Sequence, residues 1–221
     1  MRIGILFSSG KDSTTVLWKA KEHYEVVCLM SILPDNPDSY MFQKPLKELL
    51  ERQAASLHLP LITQHTAGEK EDELAELILL LRRAKEEHGI EAVGVGAIAS
   101  SYQNDRVKAI CDDLGLEVYA PLWNADPQKH IRELLAAGFD IRMTRIAADG
   151  LTAEWLGRRL TPDDVDRLVQ LHEKLGLSVA GEGGEFETIV LDGPIFSEPI
   201  SIEYEVKMES ENRGELTLVV R

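Results

Sequence analysis

Short apolar runs alternate with stretches of helical spacing over residues 1–120, and this alternation limits the fold more than any other feature of the chain. The chain opens on Arg2–Phe7, a nearly continuous apolar run typical of a strand that is buried on both faces. Further strands are predicted at Tyr24–Met30, Leu61–Ile62, Ala92–Val95 and Leu116–Tyr119, and helices at Ser13–Glu22, Gln43–Leu57, Glu69–His88 and Asn104–Leu114. This succession predicts an α/β fold with a doubly wound, mostly parallel sheet.

The pattern changes after Pro121, where the residues predict a smaller α+β domain. Thr161-Pro162-Asp163-Asp164 combines an N-cap, a proline at the first helical position and acids in the first turn, which predicts a helix to Leu175. Alternation over 200–208 and 216–220 predicts a hairpin that turns at Asn212-Arg213-Gly214. The other predicted elements are a helix at Asp126–Ala137, an extended segment at Phe139–Ile146 and a short helix from Thr152. We therefore predict two domains, residues 1–120 and residues 121–221.

The chain is strongly acidic, with 38 Asp and Glu residues against 24 Lys and Arg residues and a formal net charge of −14. Proteins that bind nucleic acid need clustered basic side chains, so this balance argues against direct nucleic-acid binding. The two cysteines, Cys28 and Cys111, form no CxxC motif and have no nearby His in ligand spacing. This excludes a disulfide framework and a Cys-based zinc site.

Apolar runs are short throughout the sequence. The densest, Leu77–Leu81, is far below the ~20 residues that span a bilayer, and no secretion signal is visible. We therefore expect a soluble, cytoplasmic protein that does not bind membranes.

The segment Ser8-Ser9-Gly10-Lys11-Asp12-Ser13 lies between the first predicted strand and the first predicted helix. N–H groups at a helix start, a glycine that allows close approach and a lysine together suit a phosphate group. The segment is not a Walker A loop, because Ser9, and not a glycine, lies five residues after Gly4, and Asp12 stands after Lys11 where the motif has its magnesium-binding hydroxyl. A capped helix start without a ligand is the alternative, but the place directly after the first strand favours a phosphate site.

Small residues follow the fourth predicted strand, from Gly94 to Gln103. Loops at the carboxyl ends of strands line the ligand crevice of doubly wound sheets, and small residues there would let a nucleotide lie against the backbone. Close packing of strand on helix explains the same composition and is the favoured interpretation from spacing alone. Arg106 could pair with a carboxylate or phosphate, or be a solvated helix arginine.

A second unusual segment, Gly181-Glu182-Gly183-Gly184-Glu185-Phe186-Glu187-Thr188, places three carboxylates around a glycine pair. Carboxylates crowded in this way are costly unless they are solvated or bound to cations. They could hold magnesium, orient ammonia or receive its proton. A polar turn before a strand at Thr188–Leu191 is the alternative, and it is the better interpretation of the segment taken alone.

Together, these segments resemble one family. The loop at 8–13 is similar to the S-G-G-x-D-S pyrophosphate loop of ATP pyrophosphatases, with Ser9 at the place of the first glycine, where a serine fits if its φ is negative. With its G-E-G-G-E-F-E-T string, the chain resembles the diphthine–ammonia ligase (diphthamide synthase) group of N-type, or PP-loop, ATP pyrophosphatases. The residues that carry the resemblance are Ser8–Ser13, Tyr40-Met41, Gly96-Ala97-Ile98, Tyr102-Gln103, Arg106, Pro121-Leu122-Trp123, Trp155-Leu156-Gly157-Arg158, Gly181–Thr188 and Leu191-Asp192-Gly193-Pro194.

The resemblance implies a HUP-type nucleotide-binding domain in residues 1–120 and a substrate-binding domain in residues 121–221. It also implies an enzyme that uses ATP to adenylate the carboxylate of diphthine on translation elongation factor 2. Ammonia then attacks the acyl-adenylate, which gives diphthamide, AMP and pyrophosphate. ATP and Mg²⁺ are the implied cofactors, and elongation factor 2 and ammonium are the implied partners.

The resemblance also implies roles for individual residues. Those for ATP are Ser8, Ser9, Gly10, Lys11, Asp12, Ser13, Leu29, Met30, Gly96, Ala97 and Ile98. The Gly10 and Ser13 amides with Lys11 would neutralise pyrophosphate, and the backbones at 29–30 and 96–98 would flank adenine and ribose. The catalytic residues are Lys11, Asp12, Glu182 and Glu185, where Asp12 would hold the metal and the two glutamates would handle ammonium. The residues for the substrate are Tyr102, Gln103, Arg106, Gly183, Gly184 and Glu187.

Two other functions are consistent with the same loop: another PP-loop adenylating enzyme, such as one that modifies tRNA, and a non-catalytic ATP-binding module. Thiolating relatives usually employ a reactive cysteine pair, which neither Cys28 nor Cys111 suits, and the net charge of −14 disfavours tRNA. A non-catalytic module would need neither the carboxylates of 182–187 nor a second domain. The sequence does not fix the oligomeric state, and a homodimer is one option.

Overall fold

The structure, a computed structural model, describes residues 1–34, 46–66, 72–96 and 101–220. It describes their side chains except those of residues 34, 72, 73 and 101–104. Contacts between residues divide the chain into two compact parts, which we call unit 1 (Met1–Trp123) and unit 2 (Asn124–Arg221).

In unit 1, strands and helices alternate strictly over the described residues. They are β1 (Arg2–Leu6), α1 (Lys11–Ala20), β2 (Glu25–Pro34), α2 (Lys47–Ser56), β3 (Leu61–Thr66), α3 (Asp72–His88), β4 (Ala92–Gly94), α4 (Ser101–Leu114) and β5 (Glu117–Tyr119). Neighbouring strands pair in parallel in the order β3-β2-β1-β4-β5. The predicted α/β fold with a parallel, HUP- or Rossmann-like sheet is confirmed.

Helices cover both faces of this sheet. On one face α1 packs closely, because a Cβ on Gly94 of β4 would lie 2.8 Å from Val16 of α1. On the other face, Cys28 and Met30 belong to a hydrophobic cluster with residues of α3 and α4, namely Leu77, Leu80, Leu81, Ala84, Val107, Ile110 and Cys111. Strands covered on both faces need apolar residues at nearly every position, which explains the continuous apolar runs.

The strands β2 and β3 are longer than predicted. They continue past Met30 and Ile62 because they pair with each other from Leu29↔Leu61 to Pro34↔Thr66. β3 is the last strand at this edge of the described sheet, and an edge strand tolerates polar side chains. Hydropathy alone therefore underestimates its length.

The strand order places β1 between β2 and β4, so the chain crosses from one half of the sheet to the other around β1. The loops that follow β1 and β4 start from neighbouring strands at the carboxyl edge of the sheet. Such a topological switch point is where doubly wound sheets bind their ligands.

Unit 2 contains an antiparallel sheet in the order β7-β6-β9-β8 together with helices. Its elements are α5 (Pro127–Ala136), β6 (Asp140–Ala147), a 3₁₀ turn (Ala153–Trp155), α6 (Pro162–Leu175), β7 (Phe186–Asp192), β8 (Ile202–Ser210) and β9 (Arg213–Val220). The predicted α+β character is confirmed, and the helix predicted from Thr161 to Leu175 is present as α6 with Thr161 as its N-cap. No helix in the described ranges is long and apolar enough to cross a membrane.

The hairpin of β8 and β9 turns earlier than predicted. The sequence places the turn at Asn212–Gly214, whereas Arg213 and Gly214 already pair with Ser210 and Met208. A Cβ on Gly214 would meet Met208 Sδ at 2.4 Å, so the close approach of β8 requires this glycine. The Asn-Arg-Gly motif correctly predicts a hairpin, but Arg213 and Gly214 belong to the paired part of β9 and not to the turn.

Strand β9 separates from β6 after a short contact. β9 pairs with β6 only over Arg213–Glu215. Farther along β6, the segment Leu156–Arg159 lies beside the strand and forms two isolated β-bridges with it. Gly157 allows the ring of Tyr204 in β8 to lie against this segment, because a Cβ there would come within 2.4 Å of the ring. The outer part of the β8–β9 hairpin is therefore a two-stranded arm.

Asp164 at the start of α6 is the centre of an ion-pair network. It is 3% exposed and accepts hydrogen bonds from Arg158 at 2.6 and 2.7 Å and from the N–H and hydroxyl of Thr161 at 2.9 and 2.8 Å. Burial raises the pKa of this carboxyl, but the hydrogen bonds outweigh burial and lower the pKa to about 2. Arg158 and Arg167 also lie over the buried Trp155 ring, at 5.5 and 4.5 Å from its centroid. The network joins the 3₁₀ turn to α6.

We expect Asp164→Asn to destabilise the fold at neutral pH and much less in acid. A pKa lowered from 3.8 to about 2 means that the ionised carboxyl stabilises the native state by about 2 kcal/mol above pH ~4. This stability is lost as the pH falls through the native pKa. The free energy of unfolding, measured by urea denaturation from pH ~7 down to pH ~2.5, should therefore differ between wild type and variant by an amount that shrinks in acid.

The matched control is Asp166→Asn, since Asp166 is an exposed partner of Arg132. It should change the free energy of unfolding by less than about 0.5 kcal/mol at any pH. A difference for Asp164→Asn that stays constant below pH ~4 would contradict the lowered pKa.

Candidate active site

The loop after β1 is closed by hydrogen bonds among its own residues. Ser8 N–H donates to Ser13 Oγ at 3.2 Å, and the Ser13 hydroxyl donates to the Gly10 carbonyl at 3.1 Å. Gly10 is the N-cap of α1, has an extended backbone and supplies no side-chain cap. The loop thus leads directly into the positive end of a helix dipole, where an anion is stabilised.

Ser9 adopts a left-handed backbone conformation, with a φ of 66°. The condition under which a serine fits this position, a negative φ, is not met, so Ser9 carries strain of about 1–2 kcal/mol. The residue is 2% exposed, and its hydroxyl donates to the Ser8 carbonyl. The surrounding contacts therefore hold a conformation that glycine would adopt without strain.

Gln53 supports the loop and is missed by the sequence analysis. It lies fully buried on α2, and its Nε2 donates to the Ser9 carbonyl at 3.2 Å. The other buried residues of α2 are Leu49, Leu50, Ala54 and, near its end, Ser56. A lone glutamine on an apolar helix face is the sequence signal that could have revealed it.

Lys11 is the buried cation of the loop. It is 3% exposed, and its Nζ lies 2.8 Å from Asp12 Oδ2. An ammonium group buried at a helix N-terminus is disfavoured both by desolvation and by the positive end of the dipole, and the carboxylate of Asp12 opposes both effects. The arrangement favours a ligand with several negative charges, such as a polyphosphate.

Asp12 is the candidate metal ligand. In the described part of the chain, no group of three or more His, Cys, Asp or Glu residues could hold a metal ion. Nucleotide-bound Mg²⁺ does not need such a group, because it takes one or two carboxylates and completes its shell with phosphate oxygens and water. One carboxylate beside a phosphate site fits this ion.

Gly96 lies against the first turn of α1. A Cβ on Gly96 would be 3.2 Å from Ser13 N and 3.3 Å from the carbonyl carbon of Asp12. The structure therefore brings the segment after β4 to the loop after β1. The predicted nucleotide-binding residues Ala97 and Ile98 lie outside the described residues, as does the pair Tyr40-Met41.

Leu29 and Met30 lie within β2, and their side chains are fully buried. Leu29 N–H donates to the Pro60 carbonyl, and the Met30 carbonyl accepts from Phe7 N–H, each at 2.8 Å. These backbone groups take part in the hydrogen bonding of the sheet. The role of the pair beside adenine and ribose stays a prediction.

Tyr102, Gln103 and Arg106 lie in the first half of α4, which follows Gly96 in the chain. Arg106 is half-buried, whereas the side chains of Tyr102 and Gln103 lie outside the described part. Their role in binding the substrate stays a prediction.

In unit 2 the glycine-rich segment folds around the carboxylate of Glu185. Its Oε1 accepts from Ser178 N–H at 3.0 Å, and its Oε2 accepts from Gly183 N–H at 2.8 Å. The Glu185 carbonyl accepts from Ala147 N–H at 2.7 Å, which attaches the segment to β6. Glu185 therefore determines the shape of the loop.

Two glycines are required by this shape. Gly181 has a φ of +74°, and a Cβ on it would lie 2.9 Å from the Phe186 carbonyl oxygen. A Cβ on Gly183 would lie 2.8 Å from Glu185 Oε1. The repeated glycines of the segment are thus explained by a backbone that closes around a carboxylate.

The other two carboxylates of this segment have different surroundings. Glu182 is exposed, and its N–H donates to Ser178 Oγ at 3.2 Å. Glu187 lies on β7 and pairs with Arg145 of β6 at 3.2 Å. Arg145 is a second residue that the sequence analysis misses, because only the register of β6 and β7 places it opposite Glu187.

The two cysteines are unsuited to thiol chemistry. Cys28 and Cys111 are both fully buried in the cluster that joins the sheet to α3 and α4. Burial raises the pKa of Cys28 to about 12 and that of Cys111 to about 11, so both thiols stay protonated at neutral pH. Neither supplies the thiolate that sulfur transfer requires.

A parallel sheet with a polyanion-favouring loop at its switch point defines an α/β protein with a Rossmann-like fold, the kind of fold that binds nucleotides at this place. Comparison with protein-family models specifies this class. The model for the diphthamide synthase N-terminal domain matches residues 1–118, and the model for the diphthamide synthase C-terminal domain matches residues 126–219. The chain belongs to the diphthamide synthase family.

Similar proteins in several eukaryotes carry the name diphthine–ammonia ligase. The one from Rattus norvegicus is 34% identical over 223 residues, which cover 92% of this chain and 83% of that protein. The one from Homo sapiens is 32% identical over 224 residues, with the same two coverages of 92% and 83%. The one from Schizosaccharomyces pombe is 35% identical over 217 residues, which cover 90% of this chain but 36% of that longer protein.

We expect Ser9→Gly to be more stable than Ser9→Ala by about 1 kcal/mol, because alanine keeps the left-handed strain and glycine relieves it. Urea denaturation measures the difference. The exposed residue Lys108 on α4 is the matched control, where the alanine variant should instead be the more stable by about 1 kcal/mol. The same order at both positions would contradict the positive φ of Ser9.

We expect Glu185→Gln to lower the free energy of unfolding by about 1–3 kcal/mol, because an amide accepts one of the two N–H bonds and turns its NH₂ group towards the other. Glu182→Gln, at an exposed position of the same segment, is the matched control and should change it by less than about 0.5 kcal/mol. Denaturation gives the stabilities, and hydrogen exchange at Gly183 N–H reports the loop directly. Equal effects of the two substitutions would show that Glu185 does not organise the loop.

Proposed function

We propose that this chain is an ATP-dependent diphthine–ammonia ligase. The carboxylate of diphthine on elongation factor 2 attacks the α-phosphorus of ATP, and pyrophosphate leaves. Ammonia then attacks the acyl carbon of the adenylate, the nitrogen loses a proton, and AMP leaves. The observation that carries the proposal is the buried Lys11 at the start of α1, in a chain that matches both domains of diphthamide synthase.

In this proposal the loop after β1 stabilises the departing pyrophosphate. Negative charge grows on the oxygen that bridges the α- and β-phosphates as the bond breaks. The ammonium of Lys11 and the amides of Gly10 and Ser13 at the start of α1 would neutralise this charge. Because Lys11 is 3% exposed, its interaction with phosphate is weakly screened by water.

The rest of the nucleotide would bind along the same edge of the sheet. Ser8 and Ser9 complete the phosphate loop, and the backbones at 29–30 and 96–98 would flank adenine and ribose. The contact of Gly96 with the first turn of α1 supports this placement. Mg²⁺ held by Asp12 would supply further positive charge for the phosphates.

The glycine-rich segment of unit 2 is proposed to handle ammonia. Ammonium must lose a proton before its nitrogen can attack, and a carboxylate can accept that proton. Glu182 is exposed, so an ammonium ion from solution can reach it. Glu185, Gly183 and Gly184 would hold the segment in the shape that presents Glu182.

We further propose that Glu187, Tyr102, Gln103 and Arg106 contact the modified side chain of the acceptor. Elongation factor 2 is the protein partner and ammonium is the source of nitrogen. The net charge of −14 supports a protein partner over a nucleic acid. The reaction would take place in the cytoplasm, away from membranes, and two copies of the chain would form a homodimer.

A tRNA-thiolating function on the same fold is not favoured. That chemistry employs a thiolate, whereas burial raises the pKa values of Cys28 and Cys111 to about 12 and 11. A non-catalytic ATP-binding role is likewise disfavoured by the match to both domains of an enzyme family.

We expect Lys11→Met to lower kcat/KM for ATP by about 10²–10³-fold, because it removes a buried positive charge at the pyrophosphate. Methionine replaces the aliphatic part of the lysine side chain and buries no ammonium, so the fold should persist. The assay follows AMP and pyrophosphate release from ATP and ammonium, with and without diphthine-bearing elongation factor 2. Lys108→Met, at an exposed site on α4, is the matched control and should leave the rate unchanged.

The two arms of this assay test different statements. AMP release that is not stimulated by the elongation factor would overturn the ligase while leaving ATP pyrophosphatase chemistry in place. A rate for Lys11→Met equal to that of the Lys108→Met control would overturn the assignment of the loop itself.

A further inference from the structure

The strand β8 is a long and regular edge strand. In the order β7-β6-β9-β8 it is the outermost strand, and it spans nine residues where a typical strand has ~5–6. Its pairing with β9 is regular from Ile202 to Met208, with neither a bulge nor a proline in this stretch. Bulges, prolines and short length are the usual protections of a sheet edge. β8 is long and has no proline, its one bulge lies at its end between Met208 and Ser210, and its regular stretch carries charged side chains.

One face of β8 is apolar and exposed. Tyr204, Val206 and Met208 are 40%, 42% and 38% exposed, and Ile202 shares their face. The residues of β9 opposite these positions continue the apolar surface; they are Leu216, Leu218 and Val220. A two-stranded arm does not bury such a face by itself, and exposed apolar surface of this kind marks a protein interface.

The other face of β8 carries charges that complement those of a second copy. Two copies of a strand that pair antiparallel around a two-fold axis place residues of the same face opposite each other. With Glu205 at the axis, Glu203 of each copy lies opposite Lys207 of the other. In this register the apolar face also matches, with Ile202 opposite Met208 and Tyr204 opposite Val206.

The two neighbouring registers are worse, since a register with Tyr204 at the axis places Glu203 opposite Glu205 twice. With Val206 at the axis, Glu205 lies opposite Lys207, but Glu203 lies opposite Glu209 twice and Ile202 lies opposite Ser210. The register centred on Glu205 brings one pair of like charges together, and Lys207 of the second copy reaches that pair diagonally. Charge and hydrophobicity therefore select the same alignment.

We propose that two copies of this chain join edge to edge through β8, antiparallel and centred on Glu205, so that their four-stranded sheets form one sheet of eight strands. The occupant of the free β8 edge is thus the second copy, and the apolar residues of the two strands contact each other side by side, with Tyr204 of each copy next to Val206 of the other. The charges that protect the edge from unrelated strands are the ones that select its own copy. Dimerisation through β8 does not depend on the proposed ligase activity.

Sedimentation velocity of the full chain without substrates tests the proposal, together with the variants Lys207→Glu and the charge-exchanged Glu203→Lys/Lys207→Glu. We expect a wild-type dimer, at least a ~10-fold higher dimer Kd for the single variant, and recovery to within ~3-fold for the double variant. Within one strand, residues 203 and 207 are ~13 Å apart, so their charges can meet only across two copies.

The matched control is Lys129→Glu, which makes the same change in net charge at an exposed site of α5 and should leave the dimer intact. Circular dichroism checks that each variant is folded. A monomeric wild type, a Lys207→Glu variant that dimerises like wild type, or a double variant no more dimeric than the single one would each overturn the proposal. A monomer whose β8 variants lose binding to a basic protein would assign the surface to that partner instead.

Discussion

The position of β1 in the middle of a parallel sheet is the constraint from which the rest of unit 1 follows. Parallel pairing forces a crossover after every strand, and the change of direction around β1 leaves two loops side by side at one edge. Lys11 and Gly96 are distant in sequence, yet they lie at the same edge because their strands are neighbours. Side chains then have only to supply charge and space at a place that the sheet has already defined.

Buried charged side chains have different roles in the two units. In unit 2 the carboxylate of Asp164 is saturated by hydrogen bonds from Arg158 and Thr161, so its charge stabilises the fold. In unit 1 the ammonium of Lys11 lies at the positive end of α1, where additional negative charge is favourable. Glu185 resembles Asp164, because its oxygens bind backbone N–H groups and shape the segment that carries Glu182.

The sequence predicts those features that depend on local pattern. Buried strands such as Arg2–Phe7 and the capped start of α6 are recognisable because burial on both faces and helix capping each leave a local signature. The left-handed backbone of Ser9, its support by Gln53 and the backbone wrapped around Glu185 depend on contacts between segments. Hydropathy records that such residues are polar or small but not which partner they meet. The family resemblance identified the segments, and the structure supplied the reasons for their composition.

The contact between Gly157 and Tyr204 restricts how this protein can diverge. The ring of Tyr204 occupies the space that any side chain at position 157 would need, and the positive φ of Gly157 adds a second penalty. The two positions are therefore epistatic, and the order of substitutions matters. Loss of the aromatic ring would have to precede any replacement of the glycine, so descendants that keep Tyr204 are expected to keep Gly157 as well.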